Sequence, residues 1–357
     1  MYIAQNTSDN IEARGIKSGL DFMQSTAGFD ITETPLEFNH TSTHWDVFKV
    51  GLANTLIVSA FGIVLATILG LIIGVARLSS NWIISRLANG YIEIFRNLPI
   101  LLQILFWYNV VLASMPSVRQ SYNFFGSIFI NQRGVYTPRP IFEDGSWLIA
   151  AGFIIALLAG WLIYKWSTKR HDETGQEFPV FLVNLGLLIT LPILAYLIAG
   201  SPVSFEYPVF KGFNFQGGRT FTPEFLALLF ALTIYTATFI AEAVRSGIEA
   251  VNKGQKEAAT SLGLTPTQSL KFVVLPQAVR IAIPPIINQY LNLAKNSSLA
   301  AAIGYPELVT VFAGTSLNIT GQALEIIGIT MLTYLVISLF VSAILNWFNK
   351  KMKIKER

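Results

Sequence analysis

Long apolar runs without a charged residue alternate along the chain with shorter polar segments. The first uncharged run has 26 residues, residues 51–76, and a helix needs about 20 residues to cross the hydrocarbon core of a membrane. Similar runs recur to the end of the chain and predict an all-α integral membrane protein, a bundle of about seven spans. The predicted spans are residues 51–76, 97–118, 147–164, 178–199, 223–241, 281–303 and 326–349.

Polar segments separate these spans and suggest the domain organisation. Residues 1–50 form a polar N-terminal tail, residues 51–349 the membrane domain, and residues 350–357 a basic tail. Polar loops cover residues 119–146 and 201–222, and a polar stretch lies within residues 245–280.

The composition agrees with a membrane protein. Hydrophobic residues make up 52% of the chain and charged residues 13%, whereas about 25% of a soluble domain is charged. The net charge of +4 comes mostly from basic residues beside apolar runs. We therefore expect membrane lipid as a partner and no nucleic acid. The chain has no cysteine and three scattered histidines. We therefore expect no metal, cofactor or catalytic residues.

The distribution of Lys and Arg predicts the orientation, because cytoplasmic loops carry the excess of these residues. Residues 77–96, 165–179, 245–280 and the tail from 350 hold 16 of them, against 8 in the remaining loops and the N-terminal tail. The C-terminus is expected inside and the N-terminus outside, in the periplasm. A 50-residue tail must then cross the membrane, either by itself or behind a helix that precedes residue 1.

The polar stretch at residues 252–276 predicts a helix, a turn and a second helix, which we call the elbow. Asn252 is suited to begin the first helix and Gly263 to end it, since glycine takes the left-handed cap conformation without steric cost. Thr265 and Gln268 have the spacing of a capping box. Ala258, Ala259 and Leu262 are predicted on one face by their spacing. That face either docks on a partner or packs on its own protein; these residues alone leave both open.

The motif in the elbow resembles the EAA signature of bacterial ABC-importer permeases. It comprises Glu257-Ala258-Ala259, Gly263 and Leu275-Pro276, with Val273 where isoleucine is usual. The flanking sequence resembles the polar amino acid permeases, the group for histidine, glutamate, glutamine, arginine and opines. This similarity is carried by residues 241–248, 253–255, 275–278 and 295–299, and by Arg96-Asn97-Leu98-Pro99. Residues 116–222 resemble an insertion with two extra spans that the longer general L-amino acid permeases contain. Those longer permeases also carry a further helix before the segment that corresponds to the N-terminal tail.

This resemblance implies the type I ABC-importer permease fold and a role in amino acid import across the bacterial inner membrane. In that family the elbow is the helix that docks on the ATPase. The implied coupling residues are Glu257, Ala258, Ala259, Leu262, Gly263, Leu275 and Pro276. The chain has no phosphate-binding loop sequence, so ABC ATPase subunits are expected as separate partners and this chain is not an enzyme. A second, different permease subunit and a periplasmic amino-acid-binding protein complete the implied assembly.

Four charged residues near the membrane are candidates for gating or structure. Lys295 interrupts an apolar run, and a charge within a span suggests function; alternatively it reaches an interface or pairs with Glu307 or Glu325. Glu242 and Arg245 are three residues apart, as are Glu93 and Arg96, which is typical of local helical ion pairs.

Two other functions fit the same pattern of spans. A gradient-driven secondary transporter would need paired carboxylates inside the membrane, which the first four predicted spans lack. A membrane scaffold would need no transport machinery. Prolines lie in or just before the sixth span, at Pro276, Pro284 and Pro285, and in the fourth, at Pro192. The irregular backbone at such positions either lines a pathway or only shapes packing. The resemblance to ABC-importer permeases implies a pathway between two permease subunits and makes spans five and six the candidates to line it.

Overall fold

The first long helix, α1, begins earlier than the apolar run predicts. A computed structural model describes residues 19–352, without the side chains of residues 345 and 348–352. In it α1 covers His44–Arg77, because Thr43 and Asp46 form a capping box ahead of the apolar run. The backbone amide of Thr43 donates to the Asp46 carboxylate at 2.9 Å. With 34 residues, α1 is about 51 Å long and extends beyond a hydrocarbon core of about 30 Å.

Within residues 19–352, ten further α-helices and eight short strands follow α1. The helices are α2 (Trp82–Asn97), α3 (Ile100–Phe106), α4 (Trp147–Thr174), α5 (Val180–Ile198), α6 (Pro223–Glu249), α7 (Lys253–Ser261), α8 (Pro266–Ser269), α9 (Leu275–Asn296), α10 (Leu317–Thr320) and α11 (Ala323–Met352). Segments of π-helix cover Trp107–Leu112, Leu270–Val274 and Val309–Ser316, and 3₁₀ turns cover Asp21–Gln24, Val118–Gln120 and Ser297–Ala302. The strands are β1 (Tyr122–Phe124), β2 (Ile128–Asn131), β3 (Gly134–Thr137), β4 (Arg139–Phe142), β5 (Val203–Glu206), β6 (Val209–Lys211), β7 (Asn214–Gln216) and β8 (Arg219–Phe221).

Six of the seven predicted spans correspond to helices long and apolar enough to cross a membrane. The segment predicted as the second span, residues 97–118, is not a helix of spanning length by itself, because the helix within it runs only from Ile100 to Leu112. There α2 and α3 meet at a bend of 101°, because the residue before Pro99 is disfavoured in a helical conformation. The buried Gln103 stabilises the break by donating to the carbonyl oxygens of Phe95 and Leu98, at 2.9 and 3.0 Å. If this bent pair counts as one span, the described residues contain seven.

The chain divides into two compact units, residues 1–115 with 222–357 and residues 116–221. In the first unit α1 packs closely along α6. A Cβ atom added at Gly70 would lie 2.6 Å from the Ile240 Cβ, and one at Gly74 would lie 2.9 Å from the Ala241 carbonyl oxygen. Small residues of this kind let helix backbones approach each other within a membrane. The α6 helix is accordingly the most buried of the apolar helices.

Within residues 19–43, part of the predicted polar tail packs on the first unit. Phe22 and Ala27 are buried in a core cluster with Val47 of α1 and with Leu308 and Phe312 from the segment after α9. The tail therefore packs on the membrane unit from about residue 22 onward. Residues 1–18, and residues 353–357 of the predicted basic tail, lie outside the described residues.

A buried glutamate organises the segment between α9 and α11. Glu307 is fully buried, and its carboxyl group accepts four hydrogen bonds. The backbone amides of Val309 and Thr310 donate at 2.9 and 2.8 Å. The hydroxyls of Thr310 and Tyr334 donate at 3.0 Å each. Glu307 thus ties the start of the π-helical segment to α11.

The second unit contains an antiparallel pair of helices, α4 and α5, and the eight strands. A four-stranded sheet has the order β1-β2-β3-β8, and β4-β5 and β6-β7 form two-stranded sheets. The sequence predicted polar loops at these segments, and the strands were not expected. Tyr136 and Phe215 form part of a small core, and burial raises the pKa of the Tyr136 hydroxyl, which donates to Asn214 at 2.9 Å.

We predict that replacing Glu307 with Ala destabilises the protein by roughly 3 kcal/mol or more, because it leaves buried donors unpaired. Glu307→Gln retains a carbonyl oxygen as acceptor and is expected to lower the melting temperature less. Melting followed by intrinsic tryptophan fluorescence measures both. Glu325→Ala is the control, since its bond to the Gly19 amide is exposed; a similar effect of Glu325→Ala and Glu307→Ala would contradict the assignment.

A second prediction concerns the contact of α1 with α6. Gly70→Ala is expected to cost roughly 1–3 kcal/mol because the new methyl group forces α1 and α6 apart. Gly90→Ala is the matched control: it also lies within a helix, but nothing lies within 4 Å of its added Cβ. We expect it to be neutral or to stabilise α2 by up to about 1 kcal/mol. Equal melting temperatures of the two variants would refute the close packing.

Candidate functional site

The first helix of the elbow begins and ends where the sequence predicts. The Asn252 side chain accepts from the Gly254 amide at 2.8 Å, and α7 follows from Lys253. At its end Gly263 has a φ of +76°. The Leu264 amide donates to the Ala259 carbonyl at 3.1 Å and the Gly263 amide to Thr260 at 2.9 Å. These two bonds form a Schellman motif, which satisfies the last carbonyls of the helix.

The second arm of the elbow starts at the predicted capping box. The Thr265 amide donates to the Gln268 side chain at 2.9 Å, and the Gln268 amide donates to the Thr265 hydroxyl at 3.3 Å. From Pro266 the chain continues without a break through the π-helical segment into α9, with Pro276 in the first turn of that helix. The sixth span was predicted to begin at residue 281. In the structure it begins earlier, inside the elbow.

Close packing joins the elbow to the ends of the two spans beside it. Val251, Val274 and Ala278 form a buried cluster against Ile248. A Cβ atom added at Gly247 would lie only 2.8 Å from the Ala278 carbonyl oxygen. In addition, the Gln277 side chain donates to the Gln255 side chain at 3.3 Å. The elbow is therefore held on both α6 and α9.

The EAA residues of α7 point in two directions. Ala259 is buried, with 2% of its surface exposed, whereas Leu262 is 80% exposed. Glu257 and Ala258 are also exposed. The prediction that Ala258, Ala259 and Leu262 share one face is thus wrong for Ala259. That residue packs inward at the end of α7, and the outer face presents Ala258 with Leu262 one turn later.

An ion network lies at the ends of α1 and α6. Glu242 binds Arg245 at 2.5 Å, which confirms the predicted pair, and it also binds Arg77 of α1. Arg245 in turn binds Glu249. Arg77 was not predicted, because a pair between different helices has no signature in local spacing. Glu249 was not predicted either, although its position four residues after Arg245 on the same helix is such a signature. The network therefore ties the end of α1 to the end of α6.

The predicted pair of Glu93 and Arg96 is not among the ion pairs of residues 19–352. Arg96 instead lies close enough to Glu242 for its charge to act on that carboxylate. Its position on α2 thus brings a third arginine toward the same network.

Lys295 occupies the last turn of α9 with its side chain exposed. The alternative of pairing with Glu307 or Glu325 is wrong, because Glu307 binds the four donors described above and Glu325 binds the Gly19 amide at 2.8 Å. Lys295 takes part in none of the ion pairs within the described part of the chain. Its gating role stays a prediction.

An apolar cavity of about 340 Å³ lies beside the elbow, between α1, α6 and α9. Its walls include Leu71, Val75, Ile248, Leu275 and Tyr290. Leu275 of the EAA motif therefore faces the space between the spans, while Leu262 faces outward from α7. In residues 19–352 no cluster of three or more histidine or carboxylate side chains is suited to a metal ion.

Residues 66–354 match the family model described as "Binding-protein-dependent transport system inner membrane component". The general L-amino acid transport system permease protein AapQ of Rhizobium johnstonii is 46% identical over 356 residues, which are 100% of this chain and 89% of that protein. The putative amino-acid ABC transporter permease protein YhdX of Escherichia coli is also 46% identical, over 100% of this chain and 91% of the relative.

A solved structure has a similar fold. The crystal structure of an amino acid ABC transporter with histidines aligns with a TM-score of 0.52 at 21% identity. The alignment covers 86% of this chain and 95% of that chain. With six or more apolar helices of spanning length, the chain is a multi-pass protein of the inner membrane. It belongs to the family of binding-protein-dependent transport system inner membrane components.

Proposed function

We propose that this chain is a permease subunit of an ATP-driven importer of polar or broad-range L-amino acids, and that a separate ATPase moves it through the elbow. The observation that carries this proposal is the elbow itself. It is capped at both ends, packed on two spans, and exposes Leu262 almost fully. An exposed leucine on a fixed helix is suited to enter an apolar groove of a partner.

The substrate class is supported by the names of the relatives. AapQ is named for general L-amino acid transport, and BztB of Rhodobacter capsulatus, 38% identical over 100% of this chain, for glutamate, glutamine, aspartate and asparagine. Family membership makes the chain a membrane subunit and not an enzyme, and implies ATPase and substrate-binding protein partners. The second, non-identical permease subunit is part of the proposal.

The proposed orientation places the elbow in the cytoplasm and the residues before α1 in the periplasm. The excess of Lys and Arg around the elbow supports it. So does the ion network, since Arg77 and Glu249 end two spans on the same side as α7. In this orientation residues 116–222 are an insertion with two extra spans, α4 and α5, and residues 252–276 are the coupling segment.

The elbow transmits motion because it is fixed to the spans. The contacts of Gly247 with Ala278, and of Val251 with Val274, join the end of α6 to the start of α9. The Gln277 side chain donates to Gln255 and joins α9 to α7. A displacement of α7 by the ATPase therefore displaces both spans. Leu275 lies where this displacement reaches the apolar cavity between α1, α6 and α9.

A gradient-driven transporter would need a carboxylate in these spans that can release and bind protons or cations. In the described spans the carboxylate of Glu242 is bound by two arginines, which does not suit a group that must release and bind protons or cations. Uptake into right-side-out proteoliposomes that contain the partner subunits, with the binding protein outside and with or without ATP enclosed in the lumen, separates the two functions. Transport that persists without ATP and follows an imposed ion gradient would overturn the importer proposal.

We predict that Leu262→Asp reduces co-purification of the ATPase by roughly tenfold or more, because a charge without a partner is costly to bury in an apolar groove. Uptake is expected to fall in parallel. The melting temperature should not change, since Leu262 is 80% exposed. Pull-down of the ATPase from co-expressing cells is the measurement.

The matched control for this variant is Phe213→Asp. Phe213 is 79% exposed and belongs to the second unit. This variant therefore also replaces an exposed apolar side chain with a carboxylate, but at a position far from the elbow along the chain. Co-purification of the ATPase should be normal for this variant. Undiminished co-purification with Leu262→Asp would refute docking through α7.

A further prediction concerns Gly263. Nothing lies within 4 Å of a Cβ atom added there, so Gly263→Ala changes only the cost of the left-handed conformation, roughly 1–2 kcal/mol. Hydrogen exchange at the Leu264 amide, measured by mass spectrometry, is expected to accelerate about 5- to 30-fold, with reduced uptake. Gly263→Asn should exchange and transport more like the original chain, because asparagine tolerates this conformation. Identical exchange in both variants would contradict a role of the turn.

A further inference from the structure

A basic cavity lies on the same side of the spans as the elbow but is separate from it. Its volume is about 270 Å³, and it is enclosed by the end of α1, the first half of α2 and the end of α6. The lining side chains are Arg77, Ser85, Arg86, Asn89, Arg245 and Glu249. None of them belongs to the EAA motif, and the coupling mechanism leaves the cavity without a role.

The helices that form the cavity place it at the boundary of the membrane. Both α1 and α6 are spanning helices, and they end at Arg77 and Glu249. The linking helix α2 carries large exposed apolar side chains, including Trp82 at 70% and Leu87 at 71% exposure. A helix with one exposed apolar face lies in the interface, where tryptophan is enriched. This is the depth at which lipid phosphates lie.

The charge of the cavity is positive. Three guanidinium groups and one carboxylate line it. Arg77 and Arg245 are held by Glu242, and Arg245 also by Glu249. Arg86 is the arginine available to a ligand: it lies over the Trp82 ring at 5.8 Å and takes part in no ion pair within residues 19–352.

The polar side chains of α2 complete the set of donors. Asn89 is half-buried one turn after Ser85, and its amide is a potential donor toward the cavity. The Ser85 hydroxyl is already used, since it donates to the Arg77 carbonyl at 2.9 Å and fixes α2 on the end of α1. The cavity is therefore formed by residues that are held in place, with Arg86 at its edge.

We propose that this cavity binds the phosphate of an anionic phospholipid from the cytoplasmic leaflet. Guanidinium groups match phosphate oxygens with paired hydrogen bonds, and basic pockets between spanning helices are suited to anionic headgroups. The exposed apolar face of α2 lies beside the cavity and would accompany the acyl chains. A bound lipid would hold α2 against α1 and α6 next to the ion network. The proposal does not depend on the substrate or on docking of α7.

The test uses the full chain purified with its partner subunits and reconstituted in lipid nanodiscs of defined composition. Bound lipid is counted by native mass spectrometry after exposure to phosphatidylglycerol, phosphatidylcholine or inorganic phosphate. Arg86→Gln is the variant, because Arg86 supports no internal ion pair and its loss leaves the fold intact. Arg170→Gln is the matched control: Arg170 also lies over a tryptophan, Trp166 at 5.2 Å, but does not line the cavity.

The expected result is that Arg86→Gln binds phosphatidylglycerol about fivefold more weakly, the change that corresponds to ~1 kcal/mol per basic residue at a membrane surface. Arg170→Gln should bind like the original chain, and phosphatidylcholine should bind more weakly than phosphatidylglycerol to both. Equal losses in the two variants would overturn the proposal.

Two other outcomes would also overturn it. Competition by millimolar inorganic phosphate in place of lipid would make the cavity a site for soluble anions. Loss of lipid binding whenever the ATPase is present would make it a protein contact, with a carboxylate of the ATPase as its occupant.

Discussion

The approach of Gly247 to the Ala278 carbonyl oxygen is the contact on which the coupling geometry depends. It brings the last turns of α6 against the first turns of α9 and leaves no room for a side chain between them. Val251 and Val274 bury themselves directly beside this contact. Because both span ends are fixed to each other there, the nine residues of α7 move only together with α6 and α9.

The same end of α6 is fixed to α1 by charge. Glu242 takes one arginine from its own helix and one from α1, and the side chains of Arg77 and Arg245 are less than a quarter exposed. Shielding from water strengthens such pairs relative to exposed ones. Farther along, Gly70 and Gly74 keep the backbones of α1 and α6 in contact. In the proposed coupling, a displacement of the elbow would therefore reach α1, and through it the lining of the apolar cavity.

How much the sequence could predict depends on how local each signal is. The caps at Asn252, Gly263 and Thr265 act within a few residues, and they were predicted correctly. Arg77, which pairs with Glu242, and Tyr334, which donates to Glu307, lie on other helices, and spacing along one helix cannot reveal them. The bend at Pro99 was missed because the apolar run continues across it. The strands of residues 116–221 were missed because they are three or four residues long, too short for an alternating pattern.

The division of the EAA residues between two faces explains why the motif needs small and large side chains together. Ala259 accepts the hydrogen bond from Leu264 that closes the Schellman turn, and a larger side chain at its buried position would have to displace the second arm. Leu262 contributes almost nothing to this packing, since its side chain projects outward. The first residue therefore acts on the stability and angle of the elbow, and the second on the affinity of the proposed partner. Substitutions at the two positions should separate folding from docking, although the residues are only three apart.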